Sequence, residues 1–168
     1  MHYLDTAYAQ LEFAIKLMHA AEQGAVTLDE IDVPLTIEDG KSILVLPDKV
    51  FQDPNDFLIA CQNNVSIAFG AASITLNRCR EEAKLPLPNP IDNEQEQWVA
   101  LVYQIRNAFA HDISEPKWKL NGRYARHYNV AGVNADLSNL NGVHFDYKHI
   151  GGPDALFDLR DYASGQLF

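Results

Sequence analysis

Arg106-Asn107-Ala108-Phe109-Ala110-His111 places a permanent cation, an amide and an imidazole close together in the chain. A guanidinium stabilises charge developing on phosphoryl oxygens, and an imidazole gives and takes protons near neutral pH. An amide can orient that imidazole or hold a ribose. These groups suffice to cut RNA by transesterification, with general acid–base help and no metal in the step. The 2′-hydroxyl attacks the adjacent phosphate and leaves a 2′,3′-cyclic phosphate and a 5′-hydroxyl, so DNA is spared. Arg106, Asn107 and His111 are therefore the candidate catalytic residues.

The helix that must position them is amphipathic. At 100° per residue from Trp98, the side chains of Leu101, Val102, Ile105 and Phe109 fall within about 60° and form a core-facing stripe. Asn107 and His111 lie at roughly 180° and 220° on the same wheel, and Arg106 at about 80°, where its stem can follow the core edge. The polar trio is thus expected to converge outside the core. Ala100, Tyr103, Gln104 and Ala110 are expected on the outer face, small or amphipathic enough for a two-fold mate to approach and double every group.

This arrangement resembles the HEPN superfamily, all-helical domains whose ribonuclease members carry an Arg, four to six intervening residues and a His, with a polar residue commonly following the Arg. Arg106, Asn107 and His111 fit that pattern over a resemblance covering roughly residues 1–115. It implies a helical bundle, a homodimer with a composite Arg/His site, an RNA substrate and a toxin–antitoxin or phage-defence setting. Family toxins inactivated by a paired nucleotidyltransferase often have a Tyr two residues after the His; here that residue is Ile113. An antitoxin or regulatory partner is accordingly expected to act by binding. A non-catalytic HEPN-like dimer that binds a nucleotide or a protein partner is the alternative.

At 168 residues and 47% apolar content, the chain suits one domain with a full core. The expected fold is mainly α: a HEPN-like bundle over about residues 3–112, a small β-hairpin at about 33–46, and a short mixed α/β extension at 116–168. No signal peptide or membrane span is read, so a cytoplasmic protein without membrane partners is expected, needing neither cofactor nor metal. Cys61 and Cys79 fall on one predicted helix about 27 Å apart, beyond disulfide reach. The net charge of −10 argues against a general nucleic-acid binder, so RNA contact must be local, and it permits a basic antitoxin or another cationic partner to dock by charge complementarity.

Along the chain, Leu4, Tyr8, Leu11, Ile15, Met18 and Ala21 mark a first helix that Gly24 ends. Two β-type runs flank Asp39-Gly40. Asp53-Pro54-Asn55-Asp56 starts a second helix to about Ala83, with Gly70 and Ser73 allowing a bend or close packing. The prolines of Leu85-Pro86-Leu87-Pro88-Asn89-Pro90 impose a stiff connection. Asp92 and Gln95 resemble a capping box that opens the motif helix, expected to fray near Asp112. From Trp118 onward, Gly- and Asn-punctuated short runs, Gly142–Tyr147 among them, predict a strand or two before a last helix around Pro153–Ala163.

Competing roles are available to these residues. Arg106 could cap an acidic patch, and His111 could bind the last carbonyls of its helix. His144, Asp146 and Lys148 alternate as solvated strand residues would, and His144 with His149 lacks a third ligand at metal-binding spacing. Trp118, between Lys117 and Lys119, is read as a hydrophobic plug ahead of an RNA-stacking residue. Arg123 and His127, with three residues between them, miss the motif spacing.

Overall fold

The computed structural model describes residues 2–46, 50–51 and 53–167. Among them the fold is mainly α. In chain order it comprises α1 (His2–Glu22), α2 (Leu28–Ile31), β1 (Leu35–Asp39), β2 (Ser42–Leu46), α3 (Pro54–Glu82), α4 (Glu94–Phe109), β3 (His127–Val130), β4 (Val133–Asp136) and α5 (Ala155–Gln166), with 3-10 turns at Gly122–Tyr124 and Tyr147–Ile150. Cα proximity divides the chain into two compact units, Gln10–Val65 and the remainder.

In the unit Gln10–Val65, α1 ends where Gly24 adopts φ +68°, a conformation that costs glycine nothing. Ala21, Phe57 and Cys61 form a buried cluster, with Leu17, Met18, Val26 and Phe51 packed against it. Asp32 ties the chain by accepting from the amides of Val50 (2.9 Å) and Phe51 (3.0 Å). β1 and β2 pair antiparallel from Leu35↔Leu46 to Asp39↔Ser42, with Gly40 at φ +59° in the turn. The expected hairpin is present, with all ten of its strand residues exposed.

In the other unit, α4 is sheathed on most sides. Trp98, Val99, Ala100, Leu101, Val102, Gln104, Ile105, Ala108 and Phe109 are all buried. The expected inner stripe is confirmed. Ala100 and Gln104, expected to face outward, are instead covered by the chain itself, because β3 and the Gly122–Tyr124 turn pack on α4. The capping box lies one residue later than expected: Asn93 Oδ1 accepts from the Glu96 amide at 2.9 Å, and Glu96 Oε2 accepts from the Asn93 amide at 3.1 Å.

Residues after Pro116 furnish much of this unit's interior, with Trp118, Tyr128, Leu137, Ile150, Leu156 and Leu159 fully buried. Trp98 Nε1 donates to the Leu159 carbonyl at 2.8 Å and Tyr8 Oη to that of Leu156 at 3.0 Å, so each large buried ring has its polar atom satisfied. The two C-terminal strands are β3 and β4, paired from His127↔Asp136 to Val130↔Val133. The Gly142–Tyr147 run forms no strand. It makes one bridge, His144 to Lys117, and leads into the 3-10 turn that Asp146 caps by accepting from the Lys148 amide.

One stretch of α3 is long and apolar enough to cross a membrane by length and composition, and 44% of it is buried inside the protein. Cys61 and Cys79 are both free and buried.

Candidate functional site

α4 ends sooner than the wheel assumes: its last residue is Phe109, with Ala110 as C-cap. His111 therefore belongs to the loop beyond the helix. That loop is held at three points. Asp112 Oδ1 accepts from the Ser114 amide (2.9 Å), the Ser114 hydroxyl (2.7 Å) and the Glu115 amide (3.0 Å). These bonds, the Ser114 hydroxyl first, hold the Asp112 carboxyl below its ordinary range. Ile113 packs where a Cβ on Gly70 would meet its Cγ1 at 2.8 Å, so Gly70 serves close packing. Lys117 N–H donates to the Ala108 carbonyl at 3.1 Å and occupies a helix-end acceptor.

Arg106 and Asn107 are brought together. Both are half-buried, and Arg106 Nη1 donates to Asn107 Oδ1 at 3.0 Å. The arginine ion pairs among the described residues belong to Arg78, Arg80 and Arg160, so Arg106 faces a neutral amide and keeps its charge unneutralised. His111 is exposed and lines a different feature, a cavity of about 170 Å³ shared with Ala108, Asp112, Glu115, Lys117 and Lys119. Neither Arg106 nor Asn107 lines that cavity. Within one chain the pair and the imidazole thus stand as two neighbouring features, not one closed site.

Of the competing roles, no ion pair to Arg106 is formed among the described residues, and the Ala108 carbonyl accepts from the Lys117 amide rather than from His111. Sequence reasoning missed that Lys117 and Lys119 line the His111 cavity; their i, i+2 spacing on an extended segment was the available signal. Trp118 is a plug, as read: it is fully buried, and its Nε1 donates to His149 Nδ1 at 3.0 Å. The same nitrogen accepts from the Asp146 amide at 3.1 Å, which leaves His149 Nδ1 without a free lone pair for a metal. Among the described residues, no three His, Cys, Asp or Glu side chains cluster to hold a metal ion.

No family model, curated protein or solved structure matches this chain.

Proposed function

We propose that the protein is a HEPN-like endoribonuclease acting as a two-fold dimer, with Arg106, Asn107 and His111 as its catalytic residues. The observation that carries the reading is the Arg106–Asn107 pair: a guanidinium held at a helix end by a neutral partner, in a chain whose other charges are mostly acidic. A structural arginine would be expected to take one of the 23 carboxylates available. Lys117 and Lys119 beside His111 add the local positive charge that an acidic protein needs to meet a phosphodiester.

In this reading His111 of one protomer removes the 2′-hydroxyl proton, and its counterpart protonates the departing 5′-oxygen. Arg106 stabilises the phosphoryl oxygens as the 2′-oxygen bond forms and the 5′-oxygen bond breaks. Two copies are needed because one chain presents the pair and the imidazole separately. With Ala100 and Gln104 covered, the dimer contact must use the exposed end of the helix and the 110–115 loop.

Purified protein incubated with mixed cellular RNA in EDTA should yield 2′,3′-cyclic phosphate ends and leave DNA intact. Arg106→Ala and His111→Ala should each lower cleavage by at least a hundredfold. A verified dimer that cuts nothing would instead favour a non-catalytic dimer binding a nucleotide or a protein partner. That second reading draws support from the absence of Arg106 and Asn107 from the His111 cavity.

A further inference from the structure

A second basic site lies at the opposite end of α4. The segment from Gly122 to His127 and the turn around Ile91 flank an open pocket of about 570 Å³, with the exposed side chains of Arg123, Arg126 and His127 along its lining. The volume is within the range of pockets that take small molecules, and well beyond what a lone inorganic anion fills. Each basic side chain is already held. The Arg123 guanidinium lies 4.8 Å from the Tyr124 ring centroid, and its Nη2 donates to Tyr124 Oη at 2.7 Å. Arg126 Nη1 donates to the Ile91 carbonyl at 2.9 Å. His127 Nε2 donates to Asn134 Oδ1 at 2.8 Å.

These contacts fix the groups without neutralising them. Neither Arg123 nor Arg126 forms an ion pair among the described residues, although Asp92 lines the same cavity. Each guanidinium has donors left over, and a planar fork whose rotamer is already restricted loses less freedom on gripping an anion. Carboxylates and phosphates both match that fork; two forks on one cavity of this size favour the more highly charged phosphate.

We propose that this cavity binds a phosphate ester of nucleotide size, with Arg123 and Arg126 holding the phosphate. Asp92 immediately precedes the α4 cap, and the 16 residues of α4 rise about 24 Å, so the site is distinct from His111. It goes beyond the nuclease reading and stands without it. The source of the phosphate is either a free nucleotide or a link in an RNA chain.

The test is direct binding, read by calorimetry on intact protein carrying His111→Ala so that no cleavage intervenes. The probes are adenosine, adenosine monophosphate, inorganic phosphate and a 2′-O-methyl RNA hexamer. The monophosphate or the hexamer should bind at least tenfold more tightly than adenosine and than inorganic phosphate. Arg123→Gln and Arg126→Gln should each weaken that binding by tenfold or more and flatten its salt dependence. A hexamer much tighter than the monophosphate assigns the site to RNA; equal affinity assigns it to a free nucleotide. Arg126→Gln also removes the tie to Ile91, so Arg123→Gln, which leaves that tie intact, keeps the outcome readable. Absence of saturable binding by both phosphate esters, or unchanged affinity in a folded Arg123→Gln protein, would overturn the proposal.

Discussion

Two arginines show how burial separates a structural cation from an available one. Arg80 is 5% exposed and spends its donors within its own unit: Nε on Asn77 Oδ1, Nη1 on the Leu85 carbonyl, Nη2 on Glu81 Oε1. It closes the end of α3, where Lys84 takes φ +58°. Removing it leaves the buried Asn77 amide oxygen and the half-buried Leu85 carbonyl without this donor, so Arg80→Ala should lower unfolding free energy by about 1.5–3 kcal/mol in urea titrations. Arg106 has one neutral partner, and Arg106→Ala should cost under about 1 kcal/mol while lowering the proposed RNA cleavage by at least a hundredfold. A large stability loss at Arg106 would make it a structural residue and remove the basis for the site. The residue types of the motif were legible in the sequence. That Asn107 rather than a carboxylate meets Arg106 was not, because the rotamer that pairs them depends on what surrounds the helix end.

Elements differ in how far local signals define them. α1, the β1–β2 hairpin and α3 follow from apolar spacing, a positive-φ glycine and helix start signals, all within the segments concerned. β3 and β4 do not. Each has four residues, and their turn places Ala131 at φ +55° before Gly132 at +78°, without an Asn or Asp to announce it. The covered back of α4 was equally hidden, since the residues that bury Ala100 and Gln104 arrive some twenty or more positions later and leave no mark on the α4 sequence. The cap of α4 is a sharper case, with two candidates one residue apart. The Asp92 amide donates to Glu96 Oε2, a bond that a side-chain change at 92 leaves in place, whereas Asn93 caps through its side chain. Asn93→Ala should therefore cost about 1 kcal/mol and Asp92→Ala no more than a few tenths, measured by thermal or urea unfolding. Gly70→Ala tests the other end of the same helix. Its Cβ would meet Phe109 and Ile113 at 2.8 Å, so a loss of about 1–3 kcal/mol is expected, together with displacement of the loop that carries His111.

For the molecule as a whole, stability should be bounded by pH on both sides, by different groups. Glu82, Glu96, Asp112, Asp136 and Asp146 all titrate below their ordinary values: Tyr3 and Arg78 bond Glu82, backbone amides bond Glu96, and side-chain donors lead at the other three. A carboxylate held down in the folded state contributes stability above its unfolded pKa and loses it as pH falls through the folded one, so the acid limb should begin below about pH 4.5. Tyr8, Tyr128 and Tyr147 are pushed above their ordinary value of 10.0, chiefly by burial, so they favour the folded state only while neutral in both states. Above pH 10 the unfolded chain ionises and the folded chain resists, which destabilises the fold. The net charge of −10 deepens the alkaline loss through self-repulsion. The thermal midpoint should therefore be broadly flat between about pH 5 and 9 and fall on either side. The alkaline fall should be shallower in Tyr128→Phe, after allowing for the lost bond from its hydroxyl to the Tyr124 carbonyl. A midpoint that holds steady to pH 11 would mean that these phenols ionise freely and are not packed as described.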